Sequence, residues 1–277
     1  MNSDILTKKK YKRTVHFIHR DCKTNTGDKV CNAGNYYSFP GYNKLTHDIY
    51  NPDFNQIKKE DIVIWSGGGL LNCLEEWNIN INKSFELCDS VYGWGIGFNS
   101  HHLDAAELVE INIGKFKHLG LRDYFKKYSW DNISYVPCSS CNLPQLQEVY
   151  KIKRKVGVIE HHRTMIKWAK SLANIFNIEK ITNEADISKF IKFIGESEFI
   201  ITNTYHCLYF SMLLNKNTIL NSNFSQKFNN LKHDFTGLGQ AIKNIDYSNY
   251  LQESIDLNNK FYNKIIKMES MKGIKQT

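Results

Sequence analysis

Proline and long apolar runs are the features this sequence has least of. Only 4 of its 277 residues are proline, which excludes a proline-rich linker. No run approaches the roughly 18 apolar residues of a membrane-spanning helix. Residues 1–13 carry charges with no apolar stretch behind them, which is unlike a secretory signal peptide. We therefore expect a cytoplasmic protein, and peripheral contact with the inner membrane surface is left open.

The sequence also lacks a cysteine pattern with a clear chemical role. Its 7 cysteines are scattered and odd in number, which is typical of reduced thiols and not of a disulfide framework. Cys138 and Cys141 form one C-x-x-C pair, but no second pair supplies the four ligands of a zinc site. His161 and His162 are adjacent, so their side chains diverge and make poor joint ligands. We expect no metal and no bound cofactor.

Positive charge is what the sequence has in excess. It contains 36 Lys and Arg against 28 Asp and Glu, a net charge of +8, which favours anionic partners. The basic clusters at residues 8–13 and 151–155 are not interleaved with stacking aromatics, and no nucleic-acid-binding motif is present. We therefore predict a phosphorylated small molecule as the ligand, and no nucleic acid partner.

Short β-branched runs alternate with helical patterns, which is typical of parallel sheets with crossover helices. The charged stretch at residues 150–155 is the predicted boundary, giving an N-terminal domain 1–151 and a C-terminal domain 152–277 that ends in an amphipathic helix. Strands are predicted at 15–18, 61–65, 90–94, 118–121, 134–136, 155–159, 198–202 and 218–220. Helices are predicted at 165–176, 187–194 with Asp186 as the cap, 206–214, and from 251 onward.

Glycines crowd the ends of two predicted strands. Gly67, Gly68 and Gly69 follow one strand, and residues 93–97 read Gly-Trp-Gly-Ile-Gly after the next. Glycine lets backbone N–H groups approach a ligand closely, and open parallel sheets bind ligands at the carboxyl ends of their strands. The spacing matches neither a dinucleotide-binding fingerprint nor a P-loop. Tight turns explain the same glycines, but two such loops in succession favour a binding role.

Histidines follow two strands of the second half. Residues 160–163 read Glu-His-His-Arg and residues 202–206 read Thr-Asn-Thr-Tyr-His. A helix start favours an anion, and Arg163 adds a planar set of donors. His206 is placed to act as a general acid or base near neutral pH. A polar helix cap and a structural histidine would also explain these residues. Because both histidine segments follow strand ends, however, we favour an enzyme with His161, Arg163 and His206 at one sheet edge.

Five short motifs, taken in order, resemble the polysaccharide pyruvyl transferase family. The resemblance spans roughly residues 14–240. It implies two Rossmann-like parallel-sheet domains in a glycosyltransferase-B-like arrangement with the active site in the cleft. It also implies a bacterial transferase of surface polysaccharide biosynthesis, such as capsule or exopolysaccharide. The motifs are residues 25–28 (Asn-Thr-Gly-Asp), 67–69 (Gly-Gly-Gly), 93–97 (Gly-Trp-Gly-Ile-Gly), 121–123 (Leu-Arg-Asp) and 204–206 (Thr-Tyr-His).

The resemblance implies transfer of a pyruvyl group from phosphoenolpyruvate to a sugar hydroxyl of a nucleotide- or lipid-linked saccharide. Many members carry an arginine two places before the motif histidine and a glycine after it, where this chain has Thr204 and Cys207. Two alternatives therefore stay open: a glycosyltransferase with a nucleotide-sugar donor, and a non-catalytic sugar-phosphate-binding protein of the same fold.

The expected site has one catalytic residue, His206, and two sets of binding residues. The donor or its phosphate is expected at Arg163, Arg122, Lys227, His161, His162, Gly67, Gly68 and Gly69. The acceptor or the cleft wall is expected at Asn25, Gly27, Asp28, Gly95, Gly97, Asn203, Thr204 and Tyr205.

Overall fold

The computed structural model contains two parallel β-sheets that follow one another along the chain. The structure describes residues 13–22, 24–99, 109–125, 130–164, 178–221, 225–241 and 243–274. The chain passes from the first sheet to the second between residues 135 and 154. The predicted α/β architecture with two parallel-sheet domains is confirmed, and the domain boundary at residue 151 stays a prediction.

The first sheet has six parallel strands in the order β2-β1-β3-β4-β5-β6. Its inner strands are apolar along their length because both faces are covered, as in parallel sheets generally. Strand β3, for example, is buried at every residue. The strands are β1 (Thr14–His19), β2 (Asn43–Asp48), β3 (Ile62–Ser66), β4 (Val91–Ile96), β5 (His118–Leu121) and β6 (Ile133–Tyr135).

The second sheet has five parallel strands in the order β11-β10-β9-β7-β8. Strands β7 and β9 are neighbours, and Ile159 stands opposite Thr202. The residues that follow these two strands therefore emerge side by side at one edge. The strands are β7 (Arg154–Glu160), β8 (Lys180–Thr182), β9 (Ser197–Thr202), β10 (Asn217–Leu220) and β11 (Thr236–Gly237).

Five α-helices connect or cover these strands in the described part of the chain. Asp186 caps the third as predicted, because its Oδ1 accepts a hydrogen bond from Ser188 N at 2.9 Å. The predicted helix at 165–176 lies outside the described residues. The helices are α1 (Thr26–Val30), α2 (Glu75–Leu87), α3 (Ile187–Gly195), α4 (Tyr205–Leu213) and α5 (Tyr250–Ile274). Short 3-10 turns occur at Ala33–Asn35, Phe54–Gln56, Ile113–Lys115, Ser139–Asn142, Pro144–Gln147 and Gln226–Phe228.

The final helix α5 contacts both domains. Tyr250, at its start, packs in the core of the second domain. Phe261 and Ile265 pack in the core of the first sheet, next to Trp94. This helix was assigned to the second domain from its position in the sequence, and its contacts show that it ties the two sheets together. None of the described helices is long and apolar enough to cross a membrane.

Candidate active site

A cavity of about 480 Å³ opens between the two sheets. One wall comes from the segments after β1, β2, β3 and β5, and the other from the segments after β7 and β9. The carboxyl ends of both sheets thus face a shared space, which is the expected position for a ligand in open α/β folds. The sequence-predicted residues that line it are Asn25, Gly27, Asp28, Gly68, Gly69, Arg122, His161, His162, Arg163, Thr204, Tyr205, His206 and Lys227.

Three predicted glycines lie behind the cavity wall and allow close packing there. Gly67 has a φ of +63°, and a Cβ at this position would lie 2.0 Å from the carbonyl oxygen of Cys31. Gly95 has a φ of +61°. A Cβ on Gly97 would lie 2.4 Å from Oδ2 of Asp123. These glycines therefore shape the wall through backbone conformation and close approach, and they do not face the cavity themselves.

Two cations stand at the inner end of the cavity. Arg122 follows β5 directly and is only 4% exposed, and its guanidinium lies 3.9 Å from the centroid of the Tyr205 ring. Its buried Nε has no hydrogen-bond partner among the described residues. Burial, together with the charge of Arg122, lowers the pKa of Lys227 to about 8, against the opposing influence of Asp28. A buried pair of like charges is stabilised when an anion joins it.

Asp28 is the one carboxylate among the described residues that line the cavity. Burial raises the pKa of Asp28 to about 6, against the opposing influence of the Lys227 and Arg122 charges. The helix α1 that carries it is capped by Asn25, whose side chain accepts a hydrogen bond from Gly27 N at 3.2 Å. A carboxyl group with this pKa exchanges a proton close to neutral pH, so Asp28 has the chemistry of a general acid or base.

His206 is enclosed by groups from both domains. Burial lowers its pKa well below the ordinary value, and the charges of Arg122 and Lys227 lower it further. Its Nε2 lies 3.9 Å from the Cys138 thiol, and its ring packs against Gly27 so closely that a Cβ there would be 2.0 Å from Nδ1. The imidazole is therefore neutral at pH 7 in the ligand-free cavity, which suits a proton acceptor better than a donor.

The histidines and arginine after β7 form the opposite wall. The side-chain oxygen of Asn203 accepts a hydrogen bond from His161 N at 2.8 Å, so Asn203 supports the wall from behind. The side-chain oxygen of Asn183 accepts one from His162 N at 2.8 Å. Arg163 is exposed at the cavity. As predicted, His161, Arg163 and His206 lie at one edge of the second sheet. No group of three or more potential metal ligands occurs among the described residues.

An aromatic part of the cavity wall was missed by the sequence analysis. Tyr50 is 41% exposed and Trp77 is 6% exposed, and both line the cavity together with Arg20. Tyr50 follows β2, a strand that was not predicted because it has no apolar run. No local pattern distinguishes these two aromatic residues from the other aromatic residues of the chain.

Asp123 ties the segment that carries Lys227 to the first domain. Its Oδ2 accepts a hydrogen bond from Phe98 N at 2.8 Å, and its carboxylate also bonds the Asn230 side chain. The carbonyl oxygen of Asn230 accepts a further bond from Tyr124 N at 2.8 Å. Lys227 comes from the second half of the chain but is thereby held beside Arg122.

Comparisons with known proteins identify the family. The sequence model of the polysaccharide pyruvyl transferases matches residues 6–223. No curated protein matches significantly in sequence. A functionally uncharacterised protein from Klebsiella pneumoniae has a similar fold, with a TM-score of 0.51 at 15% identity over 79% of this chain and 87% of that one. The wall teichoic acid polymerase TagF is similar at a TM-score of 0.37 and 12% identity, over 95% and 85% of the two chains. This chain belongs to the polysaccharide pyruvyl transferase family and is a transferase.

Proposed function

We propose that this family member transfers a pyruvyl group from phosphoenolpyruvate to a pair of hydroxyls on the sugar of a nucleotide- or lipid-linked saccharide. The observation that carries the proposal is the buried Nε of Arg122, which has no partner among the described residues and lies in the same cavity as Lys227. A buried N–H without a partner is costly, and an anion bound by the Arg122 guanidinium would offset that cost. Phosphoenolpyruvate brings a phosphate and a carboxylate.

The reaction needs two proton movements and one leaving group. The methylene carbon of the enol gains a proton, the two sugar oxygens bond to the neighbouring carbon, and the bond from that carbon to the phosphate oxygen breaks. The two hydroxyl protons end on the new methyl group and on inorganic phosphate, so atoms and charge balance. A sugar hydroxyl is a poor nucleophile, and a base that accepts its proton accelerates the attack.

His206 and Asp28 supply complementary groups for these steps. His206 is neutral because burial lowers its pKa, and we assign it the role of base toward the hydroxyl. The anionic donor would offset the charges of Arg122 and Lys227, so donor binding would raise the basicity of His206. Asp28, with its pKa raised to about 6 by burial, is assigned as the proton donor. Arg122, Lys227 and Arg163 hold the donor's charges.

Thr204 is the reason that the glycosyltransferase alternative stays open. Its side chain caps α4 by accepting a hydrogen bond from Cys207 N at 3.3 Å. No cation therefore stands where many family members have an arginine, although Arg163 lines the same wall of the cavity. The donor is accordingly the first point to be tested.

Isothermal titration of the full chain with phosphoenolpyruvate, alone and after Arg122→Lys, tests the proposal. The guanidinium contacts an anion through two donors and lysine through one, so we expect the variant to bind at least tenfold more weakly. Arg154→Lys is the matched control, since Arg154 lies at the amino end of β7, away from the cavity. Wild-type protein that does not bind millimolar phosphoenolpyruvate, with or without a nucleotide sugar present, would refute the proposed donor. Transfer of the sugar from a nucleotide sugar would then establish the glycosyltransferase alternative.

A further inference from the structure

A second region of the cavity lies apart from the charged groups assigned above. We call Arg20, Tyr50 and Trp77 the aromatic arm. All three residues line the cavity and all belong to the first domain, whereas His161, Arg163 and His206 belong to the second. The arm contains no group to which the reaction proposed above assigns a role.

The aromatic arm is held rigidly although one ring is open to solvent. The guanidinium of Arg20 lies 4.6 Å from the centroid of the Tyr50 ring, and its Nη1 donates to Oδ2 of Asp48 at 2.8 Å. The ring of Trp77 meets Tyr50 edge-on, with centroids 5.2 Å apart and planes at 77°. Tyr50 is nevertheless 41% exposed. Arg20 covers one face of this ring, and the exposed remainder is an aromatic surface on which a ligand in the cavity can pack.

Trp77 carries a buried polar group that lacks a hydrogen-bond partner among the described residues. It is 6% exposed, and its Nε1 has no hydrogen-bond partner among the described residues. A buried indole N–H normally finds an acceptor, and one without a partner costs free energy. Trp77 lines the cavity, so a ligand hydroxyl that displaces the atoms covering this N–H would satisfy it.

The charge of the arm selects the kind of ligand. Arg20 is already paired with Asp48, so the arm is close to neutral. The positive charge of the cavity is concentrated at Arg122 and Lys227, where Asp28 offsets only part of it. An anionic group is therefore drawn to the inner end, and a neutral ligand suits the arm. A pyranose fits this combination, because its C–H face packs on an aromatic ring and its hydroxyls accept hydrogen bonds.

We propose that Arg20, Tyr50 and Trp77 form the subsite for the pyranose ring of the acceptor saccharide. This inference rests on the proposed transferase function for the identity of the acceptor. It assigns the acceptor sugar to the first domain and the donor anion to the inner cations. Tyr50 provides the stacking surface, and Trp77 provides the hydrogen bond that orients the ring.

Binding measurements test the subsite without requiring turnover. UDP-galactose and UDP-N-acetylglucosamine are titrated against the full chain, with UDP alone as the reference for the nucleotide. We expect at least one of the two UDP-sugars to bind more tightly than UDP. In Trp77→Phe and in Tyr50→Leu, we expect the affinity for that UDP-sugar to fall roughly tenfold relative to the affinity for UDP. Trp77→Phe keeps an aromatic ring but removes the N–H donor together with the second ring of the indole, so the melting temperature of each variant is measured alongside. Trp130→Phe, at a tryptophan that is 55% exposed and does not line the cavity, is the matched control.

Phosphoenolpyruvate binding, measured on the same variants, separates this inference from the proposed function. We expect it to change less than twofold. The subsite is refuted if both variants bind the sugars as wild type does, if UDP and its sugars lose affinity equally, or if neither sugar binds better than UDP at millimolar concentration. Failure of phosphoenolpyruvate to bind wild-type protein would refute the donor assignment, and with it the identity of the sugar as acceptor. The sugar measurements would still test whether the aromatic arm holds a pyranose, because they do not depend on the donor.

Discussion

Gly27→Ala is the substitution whose effect can be derived most directly from the structure. The added Cβ would lie 2.0 Å from Nδ1 and 2.3 Å from Cγ of His206. Ordinary van der Waals contact begins near 3.4 Å, so the imidazole must move by more than 1 Å. The helix cannot simply retreat, because Thr26 N donates to the carbonyl oxygen of Asn183 at 2.9 Å.

The expected loss is in turnover and not in folding. Alanine is favoured over glycine inside a helix by about 1 kcal/mol, which offsets part of the cost of displacing His206. A displacement of about 1 Å in a catalytic group lowers the rate by about 100-fold. We therefore expect kcat for phosphate release from phosphoenolpyruvate, measured with a saturating acceptor, to fall by that factor, while the melting temperature changes by only a few degrees.

Gly41→Ala is the control for this experiment. Gly41 has a φ of +85° and nothing within 4 Å of an added Cβ, so alanine there strains the backbone by about 1 kcal/mol without touching the site. It should lower stability and leave kcat unchanged. A Gly27→Ala protein with wild-type turnover would show that the position of His206 is unimportant for the reaction, and the assignment of His206 as base would be abandoned.

Two further predictions follow from the titrating groups. Burial lowers the pKa of Lys227 to about 8, so kcat/KM for phosphoenolpyruvate should fall about tenfold per pH unit above that value. Lys227→Arg should remove this decline, because arginine stays charged. A decline that persists in the variant would assign the titration to another group. Burial raises the pKa of Glu269, but hydrogen bonds from Tyr92, Arg13 and Lys117 together lower it to about 2. The contribution of this carboxylate to the free energy of unfolding is therefore present above the unfolded pKa of about 4.3 and is lost as the pH falls toward 2. Glu269→Gln should cost about 3 kcal/mol of unfolding free energy in urea at pH 7 and less at pH 3; equal losses at the two pH values would contradict the ionic origin.

The sheets were predictable where strands are buried on both faces. Apolar runs at 61–65 and 90–94 coincide closely with β3 and β4, which are buried at every residue, because parallel strands of this kind are continuous hydrophobic segments. The run at 198–202 coincides with β9, although that strand is only partly buried. Strand β2 was missed since it lies at the sheet edge, has no buried residue and carries a polar sequence. Pairing with β1 holds it in place, and pairing leaves no trace in the local pattern.

The site was predictable only in its parts. Glycines and histidines at strand ends are visible locally, and their location at carboxyl edges follows from the parallel topology. Which of them face the cavity is not local: Gly68 and Gly69 do, whereas Gly95 and Gly97 lie behind it. Alternation along a loop has no fixed period, so the sequence contains no signal that separates the two groups.

The sequence by itself determined the fold class, the family, the excess of positive charge and the strand ends that carry chemistry. Only the tertiary structure brought Lys227 beside Arg122, enclosed His206 with Gly27 of the other domain, and placed Tyr50 and Trp77 in the same cavity. It also changed the expectation that His206 acts as an acid or base near neutral pH, because burial, and then the charges of Arg122 and Lys227, lower its pKa well below the ordinary value of about 6.5. Proton affinity depends on solvent access and on every charge within several ångströms, and those quantities exist only once the two domains are folded against each other.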